Sequence, residues 1–286
     1  MSPTLPEGVL RADTITKLPA GAEGTVVVSG SHGGRYPGAL AAKGGVRAVI
    51  LNDAGVGRDA AGIGCLALLE PLGIAAATVA HDSCRIGDTA SMLESGVVSH
   101  ANAPARAAGV QPGMPCREAA IRMRAAPHRR AAPPALGEAR AEAPAEAGAV
   151  RRILLLDSAS LVRPEDEGQV VVTGSHGGLV GGDPRMALRG VAAFAAVFND
   201  AGGGPGGWGM SRLPALEACG IAGFTVAAAS ARIGEAASSF RDGVVSAVNA
   251  WAAALGARVG DRAEPLLMRW AALPAALPAD IGGIGH

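Results

Sequence analysis

An α/β fold made of two similar halves is the structure that this sequence predicts, and three observations predict it. The segment "GTVVVSGSHGG" at 24–34 recurs as "GQVVVTGSHGG" at 168–178. Other short motifs recur in the same order in both halves. Short β-branched runs alternate with Ala- and Leu-rich segments. Because such alternation is typical of sheets covered on both faces, we expect a tandem duplication of a parallel-sheet βαβαβα unit, packed as a pseudo-twofold pair.

The recurring motifs set the limits of the two halves. They are "NDAG" at 52–55 and 199–202, "TVA" at 78–80 and 225–227, and "SCRIGD" at 83–88 against "SARIGE" at 230–235. Between the halves the chain is rich in Ala, Pro and charge and lacks apolar periodicity, which is typical of an exposed linker. The predicted segments are a first α/β repeat at 8–125, a linker at 126–149, a second α/β repeat at 150–272 and a C-terminal tail at 273–286.

The strands are predicted from apolar runs that end in polar or glycine residues. In the first half these runs are "TVVVSG" at 25–30, "VRAVILND" at 46–53 and "GIAAATVA" at 73–80. In the second half they include "VAAFAAVFND" at 191–200 and "GIAGFTVAA" at 220–228. The segment "AAGIGCLALLEPLG" at 60–73 is long enough for a crossover helix between parallel strands.

Composition excludes several classes of partner. The chain has 25 basic and 25 acidic residues and a formal net charge of zero, so nothing favours a nucleic acid or an anionic membrane surface. No apolar run approaches the length of a membrane span, and the N-terminus lacks the pattern of a signal peptide. The four cysteines form no C-x-x-C pair, so we expect a cytoplasmic protein. Only Lys17 and Lys43 are lysines, a bias that indicates a GC-rich bacterial gene.

Polar motifs follow each predicted strand directly. "SGSHGG" follows the first strand, "NDAG" the second, and "HDSCRIGD" or "AASARIGE" the third. Since the carboxyl ends of parallel strands meet at one edge of a sheet, we expect these loops to form a ligand site. The alternative is that they only close turns.

The repeated Ser-His-Gly-Gly suggests that glycine backbone N–H groups approach an anion while an imidazole moves a proton. The alternative is that the glycines take positive φ angles and that Ser31 and Ser175 cap the next helix. The spacing is not that of a P-loop, and a dinucleotide fingerprint is not found.

Asp53 and Asp200 of "NDAG" are candidates for orienting the histidines, as the acid of a catalytic triad does. An Asx-turn followed by glycine explains the same residues equally well. Arg85 and Arg232 lie where a strand meets a helix, which favours binding of a carboxylate or phosphate. The alternative for each arginine is an internal salt bridge.

Three polar residues occur only in the first half: His81, Asp82 and Cys84, where the second half has alanines. Cys84 is a candidate nucleophile if Arg85 and the helix start lower its pKa, although a small buried cysteine is the favoured interpretation. A divalent metal held by His32, Asp53, His81 and Asp82 is a weaker hypothesis. The second half instead has "GGGPGGWGMS" at 202–211, a loop that suggests a mobile lid.

These residues favour an enzyme that acts on a small anionic carboxylate or amide metabolite, by hydrolysis. The alternatives are an isomerase or lyase with acid–base groups from both halves, and a non-catalytic module that binds a small anion. A homo-oligomer is compatible with the composition. The catalytic candidates are His32, His176, Asp53, Asp200, Cys84 and His81. The candidates for substrate binding are Ser31, Gly33, Gly34, Arg85, Ser175, Gly177, Gly178, Ser83, Ser230, Arg232, Asn52 and Asn199.

Overall fold

The computed structural model describes residues 5–144, 148–180 and 184–274, and these form two compact units. Unit 1 comprises the chain up to Gly137 together with Ala201–Trp208, and unit 2 comprises Glu138–Asp200 and the chain from Gly209 onward. The boundary at Gly137 falls inside the expected linker. The assignment of Ala201–Trp208 to unit 1 has no counterpart in the sequence prediction. Of the expected tail, residues 275–286 lie outside the described residues.

Unit 1 contains a five-stranded sheet in the order β1-β2-β3-β4-β5. Its strands are β1 (Val9–Ala12), β2 (Val26–His32), β3 (Ala48–Asn52), β4 (Ala75–Val79) and β5 (Val98–Ala101). Strands β1 to β4 are parallel, with Val26 opposite Ala48 and Ala48 opposite Ala75, whereas β5 pairs antiparallel with β4. The expected wholly parallel sheet is therefore a mixed one, because the chain returns along β4 to form an antiparallel edge.

The helices of unit 1 cover both faces of this sheet. They are α1 (Arg35–Lys43), α2 (Gly64–Leu69), α3 (Thr89–Ser95), α4 (Ala103–Ala107) and α5 (Cys116–Met123). Val26 and Val28 pack with α3 and α5 on one face, and Val27 packs with α1 and α2 on the other. Full burial of a valine or isoleucine stabilises a fold by roughly 1.5–3 kcal/mol, so the apolar run of β2 anchors both layers at once.

Unit 2 contains a six-stranded sheet in the order β11-β10-β9-β8-β7-β6. Its strands are β6 (Arg140–Glu142), β7 (Ile153–Leu156), β8 (Val170–His176), β9 (Ala195–Asn199), β10 (Ala222–Val226) and β11 (Val245–Val248). Its helices are α6 (Arg212–Ala218), α7 (Ala236–Arg241), α8 (Ala250–Ala254) and α9 (Ala263–Ala272). Strands β7 to β10 are parallel and β11 is antiparallel to β10, the same pattern as β1 to β5.

Part of the expected linker is a strand. Residues Arg140–Glu142 pair antiparallel with β7 and extend the sheet of unit 2 by one strand. The Arg140 guanidinium donates to the carboxylate of Asp166, which is fully buried, with Nη1 and Oδ2 3.0 Å apart. The segment is ordered because it pairs with the open edge of β7 and forms this buried ion pair. Its composition does not indicate either interaction. No helix in the described part of the chain is long and apolar enough to cross a membrane.

Candidate functional site

Three polar loops of unit 1 meet at the carboxyl ends of neighbouring strands, as the sequence predicts. They are residues 29–35 after β2, 52–55 after β3 and 81–88 after β4. The Gly33 N–H donates to the Asn52 carbonyl at 2.7 Å, and the Asp53 N–H donates to the Val79 carbonyl at 2.9 Å. These bonds continue the ladders past the ends of the strands, so the loops form one edge.

Neither Gly33 nor Gly34 has a positive φ, so conformational freedom does not explain these glycines. Close packing explains them instead. A Cβ atom on Gly33 would lie 2.5 Å from the Gly62 carbonyl oxygen, and one on Gly34 would lie 2.6 Å from Cε1 of His32. Their N–H groups donate to the Asn52 carbonyl and to Nδ1 of His32. Both donors are therefore engaged within the protein and do not form the expected backbone site for an anion.

The corresponding loop of unit 2 is built in the same way. A Cβ atom on Gly177 would lie 2.5 Å from the Gly209 carbonyl oxygen, and the Gly177 N–H donates to the Asn199 carbonyl at 2.7 Å. Gly178 is buried and likewise has no positive φ. Close approach of backbone therefore explains the first glycine of the pair in both units, Gly33 and Gly177.

Ser31 and Ser175 do not cap the following helices. The Ser31 hydroxyl accepts a hydrogen bond from the Ile15 N–H at 3.0 Å, and the Ser175 hydroxyl accepts one from the Ala159 N–H at 2.9 Å. Helix α1 begins after Gly34 without a side-chain cap. The two serines fasten the loops that follow β1 and β7, so their role here is structural.

Asp53 and His81 form an acid–imidazole pair. Oδ1 of Asp53 lies 3.0 Å from Nδ1 of His81 and accepts the backbone N–H of the same histidine at 2.9 Å. The Asp53 side chain is 4% exposed, whereas that of His81 is 30% exposed. The pair therefore has a buried carboxylate and a solvent-reachable imidazole, and the bond to Nδ1 fixes the orientation of the ring.

The environment of Asp53 keeps its carboxylate ionised. Burial raises the pKa of Asp53, but hydrogen bonds from His81, Ser99 and the Gly55 N–H outweigh burial and leave the pKa below its ordinary value. The bond from Gly55, at 3.0 Å, is the Asx-turn that the sequence offered as the alternative role of this aspartate. Asp53 thus has both roles, and the turn holds the carboxylate that the imidazole meets.

In unit 2 the residue that bonds to the corresponding aspartate through its backbone is an alanine. Oδ1 of Asp200 accepts the backbone N–H of Ala228 at 2.9 Å, the counterpart of the bond from the His81 backbone. Because position 228 is alanine, this aspartate has no counterpart of the His81 imidazole at that position. Asn199 donates to the Ala231 carbonyl at 3.1 Å, a structural bond inside the unit. The contact between the aspartate and the imidazole of the residue 28 positions later is thus a feature of unit 1.

His32 is a neutral imidazole at physiological pH. Burial lowers its pKa to about 4, and Nδ1 accepts the Gly34 N–H at 3.1 Å. A backbone N–H can only donate, so the proton of the neutral ring is on Nε2. Among the described residues, the ring's Nε2 has no hydrogen-bond partner. His176, at the same place in unit 2, is buried.

Cys84 lies in an environment that suppresses thiolate formation. It is fully buried, and burial raises the pKa of its thiol to about 11, opposite to the lowering that a nucleophile requires. The Asn52 amide donates to its sulfur at 3.5 Å. The favoured sequence interpretation, a small buried side chain, agrees with this geometry.

The two arginines at the strand–helix junctions have different partners. Nε of Arg232 donates to the Glu235 carboxylate at 2.7 Å, the internal salt bridge that the sequence offered as an alternative. The Arg85 guanidinium instead lies over the ring of Trp208, 4.8 Å from its centroid. The neighbouring serines are structural: the hydroxyls of Ser83 and Ser230 donate to the carbonyls of Ala80 and Ala227.

Residues outside the predicted catalytic and binding set complete the edge in unit 1. Ser99, whose hydroxyl donates to the Thr78 carbonyl at 3.2 Å, helps to lower the pKa of Asp53, and its place in the repeated "GVVS" at 96–99 was an available signal. Gly202 packs against the His81 ring, since a Cβ atom there would lie 2.5 Å from Cδ2. Nε1 of Trp208 donates to the Ile86 carbonyl at 2.9 Å. These contacts hold the segment that the sequence suggested as a mobile lid.

A metal site is not formed by the candidate ligands. Within residues 5–144, 148–180 and 184–274, no group of three His, Cys, Asp or Glu side chains is placed to hold a metal ion. His32, Asp53, His81 and Asp82 lie in neighbouring loops, and no three of them are placed to hold a divalent cation.

Comparisons with protein-family models, curated proteins and solved structures found no match.

Proposed function

We propose that unit 1 is an enzyme that hydrolyses a small amide with Asp53 and His81 as its acid–base pair, and that the two units are divergent copies of one ancestor. The observation that carries the enzymatic proposal is the 3.0 Å contact between Oδ1 of Asp53 and Nδ1 of His81. This contact is the one that positions a histidine for general-base catalysis, because it fixes the tautomer and stabilises the imidazolium that forms. A cytoplasmic location belongs to the same proposal and is supported by four free cysteines.

In the proposed reaction, Nε2 of His81 takes a proton from a water molecule while the water oxygen bonds to the carbonyl carbon of the amide. The carbon–nitrogen bond then breaks, and the imidazolium returns its proton to the departing nitrogen. The ionised Asp53 stabilises the imidazolium between these steps. No oxidant, reductant or further reactant is required.

His32 supplies a neutral hydrogen-bond donor at the same edge. Its low pKa keeps the ring uncharged, and the bond from Gly34 to Nδ1 places the proton on Nε2. We assign to this N–H the stabilisation of the oxyanion that develops on the carbonyl oxygen. A donor of this kind acts without giving up its proton, so it does not compete with His81.

The test compares Asp53→Asn with Asp200→Asn, which changes the aspartate of unit 2 that accepts the backbone N–H of an alanine in place of a histidine. The probes are primary amides of small carboxylic acids, followed by ammonia release. We expect Asp53→Asn and His81→Gln to lower kcat by roughly 10²–10⁴-fold and Asp200→Asn to leave kcat within about twofold.

A wild-type rate in His81→Gln would refute the acid–base role of this histidine. Ammonia release from none of the amides would refute the hydrolytic reaction. Solvent deuterium entering a substrate C–H bond without ammonia release would instead assign proton abstraction at carbon, the chemistry of an isomerase or lyase.

A further inference from the structure

A cavity of about 460 Å³ opens beside the loop that carries His81. It is lined by Asp82, Arg85, Asp88, Glu94 and Pro205, all of which belong to unit 1, with small residues between them. A volume of this size is in the range of pockets that hold small metabolites. Its lining combines one cation with three carboxylates, so its ligand must satisfy charges of both signs.

Arg85, the cation of this cavity, forms no ion pair with a carboxylate within the described residues. In unit 2 the corresponding Arg232 is paired with Glu235, which leaves helix α7 without a side-chain cap. In unit 1 the corresponding acid is Asp88, which is shorter by one methylene and accepts the Ser91 N–H at 2.9 Å as the cap of α3. This exchange of glutamate for aspartate leaves the Arg85 guanidinium available to a ligand.

Trp208 holds that guanidinium in place. The ring lies under it at 4.8 Å and is itself fixed by the 2.9 Å bond from Nε1 to the Ile86 carbonyl. Stacking engages the flat face of a guanidinium and leaves the N–H groups at its rim free to bind a carboxylate in bidentate fashion. Arg85 is thus oriented before any ligand binds, which lowers the entropy lost on binding.

Two carboxylates of the cavity are likewise without a partner in the described chain. Asp82 and Glu94 are exposed, and neither forms an ion pair or hydrogen bond there. They carry two negative charges beside the single positive charge of Arg85. A ligand that carries only a carboxylate would meet repulsion from both, whereas a ligand with ammonium groups would be attracted.

We infer that this cavity binds an amino-acid-like zwitterion, with its carboxylate on Arg85 and its ammonium groups toward Asp82 and Glu94. The inference rests on the proposed function for the role of such a compound as substrate, but the binding itself is measured without turnover. The charges favour a compound with one carboxylate and two ammonium groups over one with a carboxylate alone.

The test measures the dissociation constants of four probes of matched size by calorimetry on the full chain. The probes are L-lysine, 6-aminohexanoate, cadaverine and hexanoate. We expect L-lysine to bind at least tenfold tighter than cadaverine, which lacks the carboxylate, and than hexanoate, which lacks both ammonium groups. 6-Aminohexanoate should lie between L-lysine and hexanoate.

Variants separate the two contributions. Arg85→Gln should weaken L-lysine at least tenfold and cadaverine less than twofold, and Asp82→Asn with Glu94→Gln should remove the preference for L-lysine over hexanoate. Arg232→Gln, the matched control in unit 2, should change neither affinity. Equal binding of hexanoate and L-lysine would overturn the inference, and so would an equal effect of Arg85→Gln on L-lysine and cadaverine. No measurable binding of any probe would also overturn it. Zwitterion binding without amide hydrolysis would refute the proposed function alone.

Discussion

The loop after β3 stores backbone strain that glycine would release. Val56, Asp59 and Ala60 have φ angles of +59°, +53° and +55°. An L-residue in this left-handed region costs roughly 1–2 kcal/mol relative to the ordinary helical region. The aligned positions of the second half are all glycine and also left-handed: Gly203 at +85°, Gly206 at +61° and Gly207 at +72°.

Ala60→Gly is the cleanest single test of this strain. The Ala60 side chain is exposed, so its removal loses little burial. Relief of roughly 1–2 kcal/mol is offset by roughly 0.5–1 kcal/mol for the greater freedom of glycine in the unfolded chain. We therefore expect Ala60→Gly to increase the free energy of unfolding of unit 1 by about 0.5–1 kcal/mol.

Gly206→Ala is the opposite kind of change, at the position that aligns with Asp59. A Cβ atom there meets open space, so only the φ of +61° opposes it. It should lower the free energy of unfolding by about 1 kcal/mol. Both positions belong to unit 1, so both changes act on the same transition. Native-state hydrogen exchange in urea, read by mass spectrometry on the peptides of β2 and β3, measures that transition.

The control is Ala107→Gly in helix α4, where the backbone is helical and glycine should cost roughly 0.5–1 kcal/mol. Ala60→Gly and Ala107→Gly must therefore have opposite signs. If Ala60→Gly destabilises unit 1 as much as Ala107→Gly does, the left-handed backbone carries no strain and the reasoning fails.

Two further predictions concern the histidine and the cysteines. The His32 ring takes up a proton near pH 6.5 in the unfolded chain, but only near pH 4 in the folded chain. Its contribution to the free energy of unfolding is therefore fully present above pH 6.5. The free energy of unfolding should fall by about 3 kcal/mol as the pH is lowered from 6.5 to 4. Urea unfolding across this range should show that loss in the wild type and a smaller one in His32→Gln, and an equal loss in both would contradict the assignment. The native protein should react with a disulfide reagent at Cys219, which is exposed, and not at Cys84, whose buried thiol has a pKa of about 11. Labelling of Cys219→Ser at a similar rate would show that a buried cysteine is accessible.

The sequence was sufficient to predict which loops lie close together at the candidate site, but not which side chains contact one another. Motifs at the ends of apolar runs had to meet at one edge, since parallel strands all end on the same side of a sheet. The sequence hypothesis paired Asp53 with the histidine of the Ser-His-Gly-Gly loop, His32, whereas the structure pairs Asp53 with His81. Cys84 shows the same limit: Arg85 is its neighbour in sequence, but the guanidinium lies over Trp208 and the thiol is buried.

The sequence by itself determined the β2, β3 and β4 strands and their counterparts, because a run of β-branched and small apolar residues can be buried in only a few ways. It also determined which loops share an edge. The tertiary structure decided the rest: Asp53 meets a residue 28 positions away, and Trp208 meets one 122 positions away. Such contacts depend on strand register and on where a distant loop packs, and local patterns contain neither.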